Sequence, residues 1–162
     1  MKAYFAGGCF WCIAAPFMRL EGIVKVVSGY SGGDEVAPTY EQVKQQKTGH
    51  RETIEIEYDE SAISYADLLE VFFANIDPFD TNGQFIDRGH SYTTAIYYNT
   101  TNEKELALAK IIEVQNESKR EVTVAVEPSK EFYKAEEYHQ DFSIKHKEEF
   151  EQELIESGRK KL

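Results

Sequence analysis

Cysteine is almost absent from this chain: 162 residues contain two, Cys9 and Cys12. A secreted disulfide scaffold spreads more of them along the sequence to close long loops, and a bridge across two intervening residues closes almost none. The pair points to the cytosol and to chemistry rather than to stapling. Basic charge is in deficit as well. The 18 Lys and Arg against 29 Asp and Glu leave a formal net charge of −11, so a polyanion such as DNA or RNA is repelled on average and no nucleic-acid partner is expected. Long apolar runs are missing too, far short of the roughly 20 residues that span a bilayer. Met1-Lys2 leads almost at once into Cys9 and Trp11 instead of an apolar stretch with a cleavage site, so no signal peptide is expected and the location read from the sequence is cytoplasmic. What the chain does have is core-forming material, 41% hydrophobic and 13% aromatic residues, which excludes a disordered polar chain. With no linker, repeat or low-complexity tract, residues 1–162 read as one domain.

Hydrophobic periodicity predicts the order of elements. Lys2–Ala6 reads as a strand ending at Gly7-Gly8, and Cys9–Leu20 as a helix with a kink or short first turn because of Pro16. Ile23–Ser28 is a β-branched strand closed by Gly29, and Thr39 caps a short helix over Tyr40–Gln46. From Glu52 to Tyr58 the pattern alternates, with Ile54, Ile56 and Tyr58 on one face and Thr53, Glu55 and Glu57 on the other. Ser64 and Asp67 resemble a capping box for a helix that keeps its apolar spacing until Pro78. Tyr92–Tyr98 is the next strand, a helix follows near Asn102–Ser118, and Val122, Val124 and Val126 alternate as the last strand. The tail from about 143 to the end is a charged helix with little apolar face. Strand, helix, strand, strand, helix, strand, with one further helix and strand, predicts an α+β two-layer sandwich of the ferredoxin-like type.

The chemistry gathers around Cys9. A cysteine that follows a strand and a Gly-Gly turn and opens a helix meets unsatisfied N–H groups and about half a positive elementary charge, which favour a thiolate and lower the thiol pKa. Cys12 lies one turn along the same face. Cβ atoms at that spacing are about 5–6 Å apart in a regular helix, so a disulfide needs modest local distortion. The bland alternative is two small buried residues packing the helix onto a sheet. A zinc site would need help from His50, His90, His139 or His146, and no pair of these has the roughly three-to-five-residue gap of a zinc finger. Phe10 and Trp11, the latter the only tryptophan, are either core or an apolar, polarizable wall suited to a methyl group or thioether. By parity Glu52 lies on the apolar face with Ile54 and Ile56. Desolvation there raises its pKa, so that it holds a proton near neutral pH as a general acid does. The alternative is a strand-end carboxylate that reaches water past the sheet edge.

The run Gly8-Cys9-Phe10-Trp11-Cys12 resembles that of the A-type peptide methionine sulfoxide reductases. Gly29-Tyr30-Ser31-Gly32-Gly33, Pro38-Thr39-Tyr40, Thr48-Gly49-His50-Arg51-Glu52, Gly83-Gln84 with Asp87, Ser91-Tyr92 and Ala135-Glu136-Glu137-Tyr138-His139-Gln140-Asp141 follow in the family's order, so that the resemblance covers about Lys2 to Asp141. It implies an elaborated ferredoxin-like fold with a mixed sheet, and reduction of methionine S-sulfoxide, free or in proteins, without metal or organic cofactor. By the same resemblance Cys9 attacks the sulfoxide sulfur, Phe10 and Trp11 hold the substrate methyl, Glu52 protonates the oxygen, Tyr40 and Tyr92 hydrogen-bond it, and Asp87 helps order the site. The implied reductant is thioredoxin, with glutaredoxin or glutathione as alternatives. Many relatives carry Gly in place of Cys12 and Glu in place of Ala14, and others recycle with a cysteine far along the chain. Nothing after Cys12 is a cysteine here, so either Cys12 resolves a Cys9 sulfenic acid or an external thiol does. Two other readings stand beside this one. A general thiol–disulfide oxidoreductase explains the cysteine pair but gives Tyr40, Glu52, Asp87 and Tyr92 no role; the other is a non-catalytic zinc-binding module.

Overall fold

Phe5 marks the centre of the molecule: opposite it stand Ile54 on one neighbouring strand and Ile96 on the other, and all three are fully buried. The computed structural model describes residues 1–159. In chain order its elements are β1 (Lys2–Gly7), α1 (Phe10–Met18), β2 (Ile23–Ser31), α2 (Tyr40–Lys44), β3 (Arg51–Tyr58) and α3 (Tyr65–Ala74). A two-residue ribbon of β4 (Gly83–Gln84) and β5 (Asp87–Arg88) follows, then a 3₁₀ turn at His90–Tyr92, β6 (Thr94–Tyr98), α4 (Thr101–Ser118) and β7 (Ala125–Pro128). The described chain closes with β8 (Tyr133–Lys134), a second 3₁₀ turn at Glu137–His139, α5 (Phe142–Lys145) and α6 (Lys147–Glu156).

The main sheet has the order β7-β6-β1-β3-β2-β8. Its inner four strands, β6-β1-β3-β2, reproduce the ferredoxin-like arrangement expected from the order of elements. All neighbours are antiparallel except β6 and β7. Parallel strands need a long crossover, and α4 provides it; the sheet is therefore mixed. Ile13 and Phe17 of α1, Leu68, Leu69 and Phe72 of α3 and Ala107 of α4 share one core with Phe5, Ile54, Ile56 and Ile96. The Phe5 and Phe72 rings stack at 4.9 Å. Ser64 and Asp67 form the expected capping box on α3, a device worth about 1 kcal/mol. No helix among the described residues is long and apolar enough to cross a membrane.

Several segments depart from the periodicity reading. β2 runs through Gly29 to Ser31, and a Cβ at Gly29 would stand 2.4 Å from the Tyr133 carbonyl oxygen; the missing side chain lets β8 pair there. Tyr92 belongs to a 3₁₀ turn, and its strand begins only at Thr94. Val122 and Val124 are buried but precede β7, because Thr123 spends its N–H on the Pro78 carbonyl at 2.7 Å instead of on a strand. The tail breaks into α5 and α6, and it is not free of an apolar face. Phe142 and Phe150, each 3% exposed, pack with Leu154 onto Cys9, Cys12 and Ala15. The last three residues of that tail, 160–162, lie outside the described ones.

Candidate active site

The strand-to-helix junction is made by Gly8, whose φ of +87° turns the chain; a Cβ there would meet the Arg159 guanidinium and the Gln84 side chain at 2.7 Å. Cys9 is the N-cap of α1, outside the helical region of φ and ψ, and its carbonyl accepts from the N–H groups of Cys12 and Ile13 at 3.1 and 3.2 Å. Pro16 lies inside α1. Having no N–H, it leaves the carbonyl four residues back, that of Cys12, without its usual helical donor, which loosens the backbone at this residue.

The N–H of Phe10, one of the orphan donors of the helix start, donates to Oε1 of Glu52 at 3.1 Å. Glu52 is on the helix-covered face of β3, as parity requires, and is 1% exposed. Its Oε2 has no hydrogen-bond partner among the described residues. Burial pushes its pKa up to about 8; the Phe10 N–H pulls the other way, and the negative charges of Asp87 and Cys12 add to the rise. Glu52 therefore holds its proton at neutral pH. Asp87, half-buried in β5, has its own Oδ2 unpartnered among the described residues, and burial raises its pKa as well. Lys44 is the cation facing both carboxyl groups.

Cys9 corrects one expectation. The helix end does not leave it a thiolate. Hydrogen bonding with the Cys12 thiol, then burial, then the charges of Cys12 and Glu52 hold its pKa well above the ordinary value. Both thiols are free, with 6% and 4% exposure. The cover comes from α5 and α6, and Cys9 rests as a thiol beneath it. On the Cys12 side of α1 a groove of about 330 Å³ opens between Ala15, Arg19, Phe85, Phe150 and Arg159.

Tyr40, at the start of α2, and Tyr92 are both half-buried, and both feel the charges of Glu52, Asp87 and Cys9, which with burial raise their phenol pKa values. They are hydrogen-bond donors throughout the ordinary pH range. Phe10 is 1% exposed and packs against Tyr30, Tyr40 and His139, at 5.8, 6.3 and 5.3 Å between ring centroids. Trp11 is half-buried beside it, and its ring stacks on Phe142 at 3.9 Å. All eight residues singled out from the sequence thus meet at the start of α1.

Sequence reasoning assigned no role to the residues that brace this cluster from the far end of the chain. His139 accepts from the Trp11 indole N–H at 3.1 Å. Glu136 accepts from the Tyr30 hydroxyl at 2.8 Å and from the Tyr40 N–H at 3.0 Å. Gln140 clamps both backbone groups of Ser28, at 2.9 and 2.8 Å. The signal for them was the run Ala135–Asp141, which follows the family's order but came with no role for any of its residues. Among the described residues no group of three His, Cys, Asp or Glu side chains is placed to hold a metal ion, so the zinc reading finds no ligand set around the two cysteines.

Two thiols beside a proton-holding carboxyl group, on a ferredoxin-like frame, define a protein of thiol redox chemistry. More particularly, the chain belongs to the peptide methionine sulfoxide reductase family, whose model matches residues 1–162. It is 44% identical over 160 residues to the peptide methionine sulfoxide reductase MsrA of Listeria monocytogenes serotype 4a, covering 98% of this chain and 90% of that protein. The crystal structure of Mxr1 from Saccharomyces cerevisiae in reduced form superposes with a TM-score of 0.85 at 29% identity, over 91% of this chain and 86% of that one. A structure of Mxr1 in complex with Trx2 shares the fold with a TM-score of 0.61 at 22% identity, over 86% and 83% of the two chains.

Proposed function

We propose that this chain reduces methionine S-sulfoxide, free or in proteins, to methionine, as one cytoplasmic catalytic domain that uses Cys9 as nucleophile. The observation that carries the reading is Glu52: a buried carboxyl group that keeps its proton to about pH 8 within reach of the Cys9 helix start.

A sulfoxide oxygen leaves only once it is protonated. The substrate methyl lies against Trp11, backed by Phe10, while the oxygen points to Glu52 and to the phenols of Tyr40 and Tyr92. Glu52 gives the oxygen its proton as negative charge develops there, and the two phenols stabilise that charge in a dry pocket. Asp87 helps order these donors. Cys9 gives up its thiol proton, which restores the proton that Glu52 has donated, and its sulfur bonds to the substrate sulfur. As the oxygen passes to Cys9 as S–OH, the S–O bond of the substrate and the new sulfur–sulfur bond both break, and methionine leaves. One sulfoxide is reduced and one thiol is oxidised to sulfenic acid. Cys12 then condenses with the sulfenic acid, releasing water and forming a Cys9–Cys12 disulfide. The non-helical backbone of Cys9 and the freed carbonyl of Cys12 support that short bridge. Thioredoxin, or else glutaredoxin, is the proposed reductant; Mxr1 has been solved with Trx2 bound.

The test is turnover of resolved S and R sulfoxides, first with dithiothreitol and then with thioredoxin. Reduction of the S form alone is expected. Reduction of insulin disulfides with neither sulfoxide consumed would favour the general thiol–disulfide oxidoreductase instead.

A further inference from the structure

Cys12 lines the groove of about 330 Å³ beside α1, and Cys9 does not; the charge of Cys9 is felt instead by the phenols of Tyr40 and Tyr92. Ala15, Ile76, Phe150 and Leu154 give the groove apolar walls, and its charged members among the described residues are Arg19 and Arg159. A chain with 29 acidic and 18 basic residues thus surrounds this opening with two cations and no carboxylate. Neither cation is neutralised. Among the described residues the arginine ion pairs are those of Arg51 and Arg88. Arg159 donates to the carbonyls of Gly7 and Asn75 at 2.7 and 3.0 Å and lies over the Phe85 ring, 4.7 Å from its centroid. Those contacts fix the guanidinium in place and leave its charge uncancelled. Arg19, at the end of α1, is exposed. The volume falls at the small end of the roughly 300–1,000 Å³ range of small-molecule sites.

We propose that this groove binds a small thiol bearing carboxylate groups, which opens the Cys9–Cys12 disulfide by attacking the sulfur of Cys12. This rests on the disulfide of the proposed function. The carboxylates of the incoming molecule stand against Arg19 and Arg159, and its thiolate meets the one sulfur that the groove presents. A new sulfur–sulfur bond forms to Cys12, the Cys9–Cys12 bond breaks, and its electron pair stays on Cys9. The proton given up by the incoming thiol ends on Cys9, where burial favours the thiol. A second thiol, of the same kind or of thioredoxin, then takes the mixed disulfide off Cys12. Two thiols are oxidised to one disulfide, and the protein disulfide is reduced to two thiols. Attack from this side frees the nucleophile first and does not pass through the substrate pocket. It also runs against the field of the whole molecule. A net charge of −11 attracts cationic thiols and repels anionic ones, so an anionic preference can come only from the local arginines.

The test uses three small thiols that differ in charge: mercaptosuccinate with two carboxylates, uncharged 2-mercaptoethanol, and cationic cysteamine. Each reduces the oxidised full chain, prepared by one turnover of methionine sulfoxide. Rates are compared per thiolate, because the three thiols differ in pKa. At low salt mercaptosuccinate should exceed 2-mercaptoethanol about 3- to 10-fold, as two partly exposed charge pairs allow. The advantage should shrink toward one in 1 M salt, where the Debye length is about 3 Å. Mass spectrometry after rapid alkylation should find the first adduct on Cys12 and the alkyl group on Cys9. Arg19→Glu should cancel the preference and Arg19→Lys should keep it. The ratio of the two rates is taken within each variant, so a general change in reactivity drops out. A wild-type order of cation before neutral before anion, a preference that survives Arg19→Glu, or a first adduct on Cys9 overturns the proposal. So does reduction by thioredoxin with no small thiol reacting, which would make the groove a protein-docking site. A turnover that leaves no Cys9–Cys12 disulfide removes the resolving step of the proposed function itself. A disulfide that forms but reacts without regard to thiol charge removes the groove assignment alone.

Discussion

Glu52 and Glu55 lie three positions apart on β3, and an odd spacing puts them on opposite faces of the sheet. Glu52 faces the helices. It is 1% exposed, takes one N–H from Phe10, and keeps an unpartnered oxygen. Glu55 faces the other way, where its Oε2 accepts from the Tyr4 hydroxyl at 2.9 Å and its Oε1 stands 3.5 Å from the Lys2 ammonium. One strand thus carries the same carboxyl group in two roles. Where a cation and a phenol meet it near water it is a structural partner. Where one N–H meets it in a dry core it keeps its proton, and a proton kept at neutral pH can be delivered. The helix-covered face is also the poorer in stabilising contacts for its carboxylate, as a site that must do chemistry tends to be.

The contrast requires that all the sulfur chemistry lie on the helix-covered face, and Cys9→Ser tests that most severely. Every reduction should stop, including the first turnover, measured as methionine released per enzyme with no added thiol. Residual single-turnover release would mean that Cys12 can start the reaction. The next largest effect belongs to Glu52→Gln. Gln can donate a hydrogen bond but cannot hand over the proton, so the chemical step should slow by about 10²–10⁴-fold. The same substitution should stabilise the fold in alkali. Between its ordinary value near 4.5 and its raised value of about 8, Glu52 binds a proton in the folded state and not in the unfolded one, so stability falls as pH rises through that window. Glu52→Gln removes this loss. Its melting temperature at pH 8 should exceed that of the wild type by at least about 2–4 °C, the shift that 1 kcal/mol gives in a chain of this size. Equal melting curves at pH 8 would place the Glu52 proton elsewhere.

Cys12→Ser comes third. The first methionine should still be released, leaving a sulfenic acid on Cys9 that a probe can trap. Thioredoxin-driven turnover should fall at least about tenfold, and dithiothreitol, which attacks the sulfenic acid directly, should restore part of it. Full thioredoxin-driven turnover would make Cys12 a packing residue and the protein a one-cysteine reductase.

The position of Glu52 was legible because strand parity is local: Ile54 and Ile56 mark the buried face, and a residue two positions earlier must share it. The protonated state of Cys9 was not legible. A helix start lowers a thiol pKa when solvent and backbone dipoles decide, but here the decision falls to a second thiol, a carboxyl group and the cover of Phe142 and Phe150, which enter from the far end of the chain. Phe142, Phe150 and Leu154 were readable in principle, eight and four residues apart on helical spacing. The charges between them hid so thin a stripe, and the break between α5 and α6 spoiled its period. The contact of His139 could not have been read at all, since it depends on one atom meeting an indole across 128 positions.

The smallest expected effect lies on the other face of β3. Glu55→Gln keeps an acceptor for the Tyr4 hydroxyl and removes only the attraction to Lys2, whose side chain is 52% exposed. Pairs of that kind contribute about 0–1 kcal/mol and are screened by salt. The variant should lose at most about that much stability by denaturant unfolding, with the loss shrinking as salt is added. Its kcat and KM should match the wild type, because β3 separates Glu55 from the thiols and every group around it differs from those around Glu52. A drop in kcat of more than about threefold with the fold intact would break the comparison, since it would mean that a change on the outer face of β3 reaches the proton on the inner one.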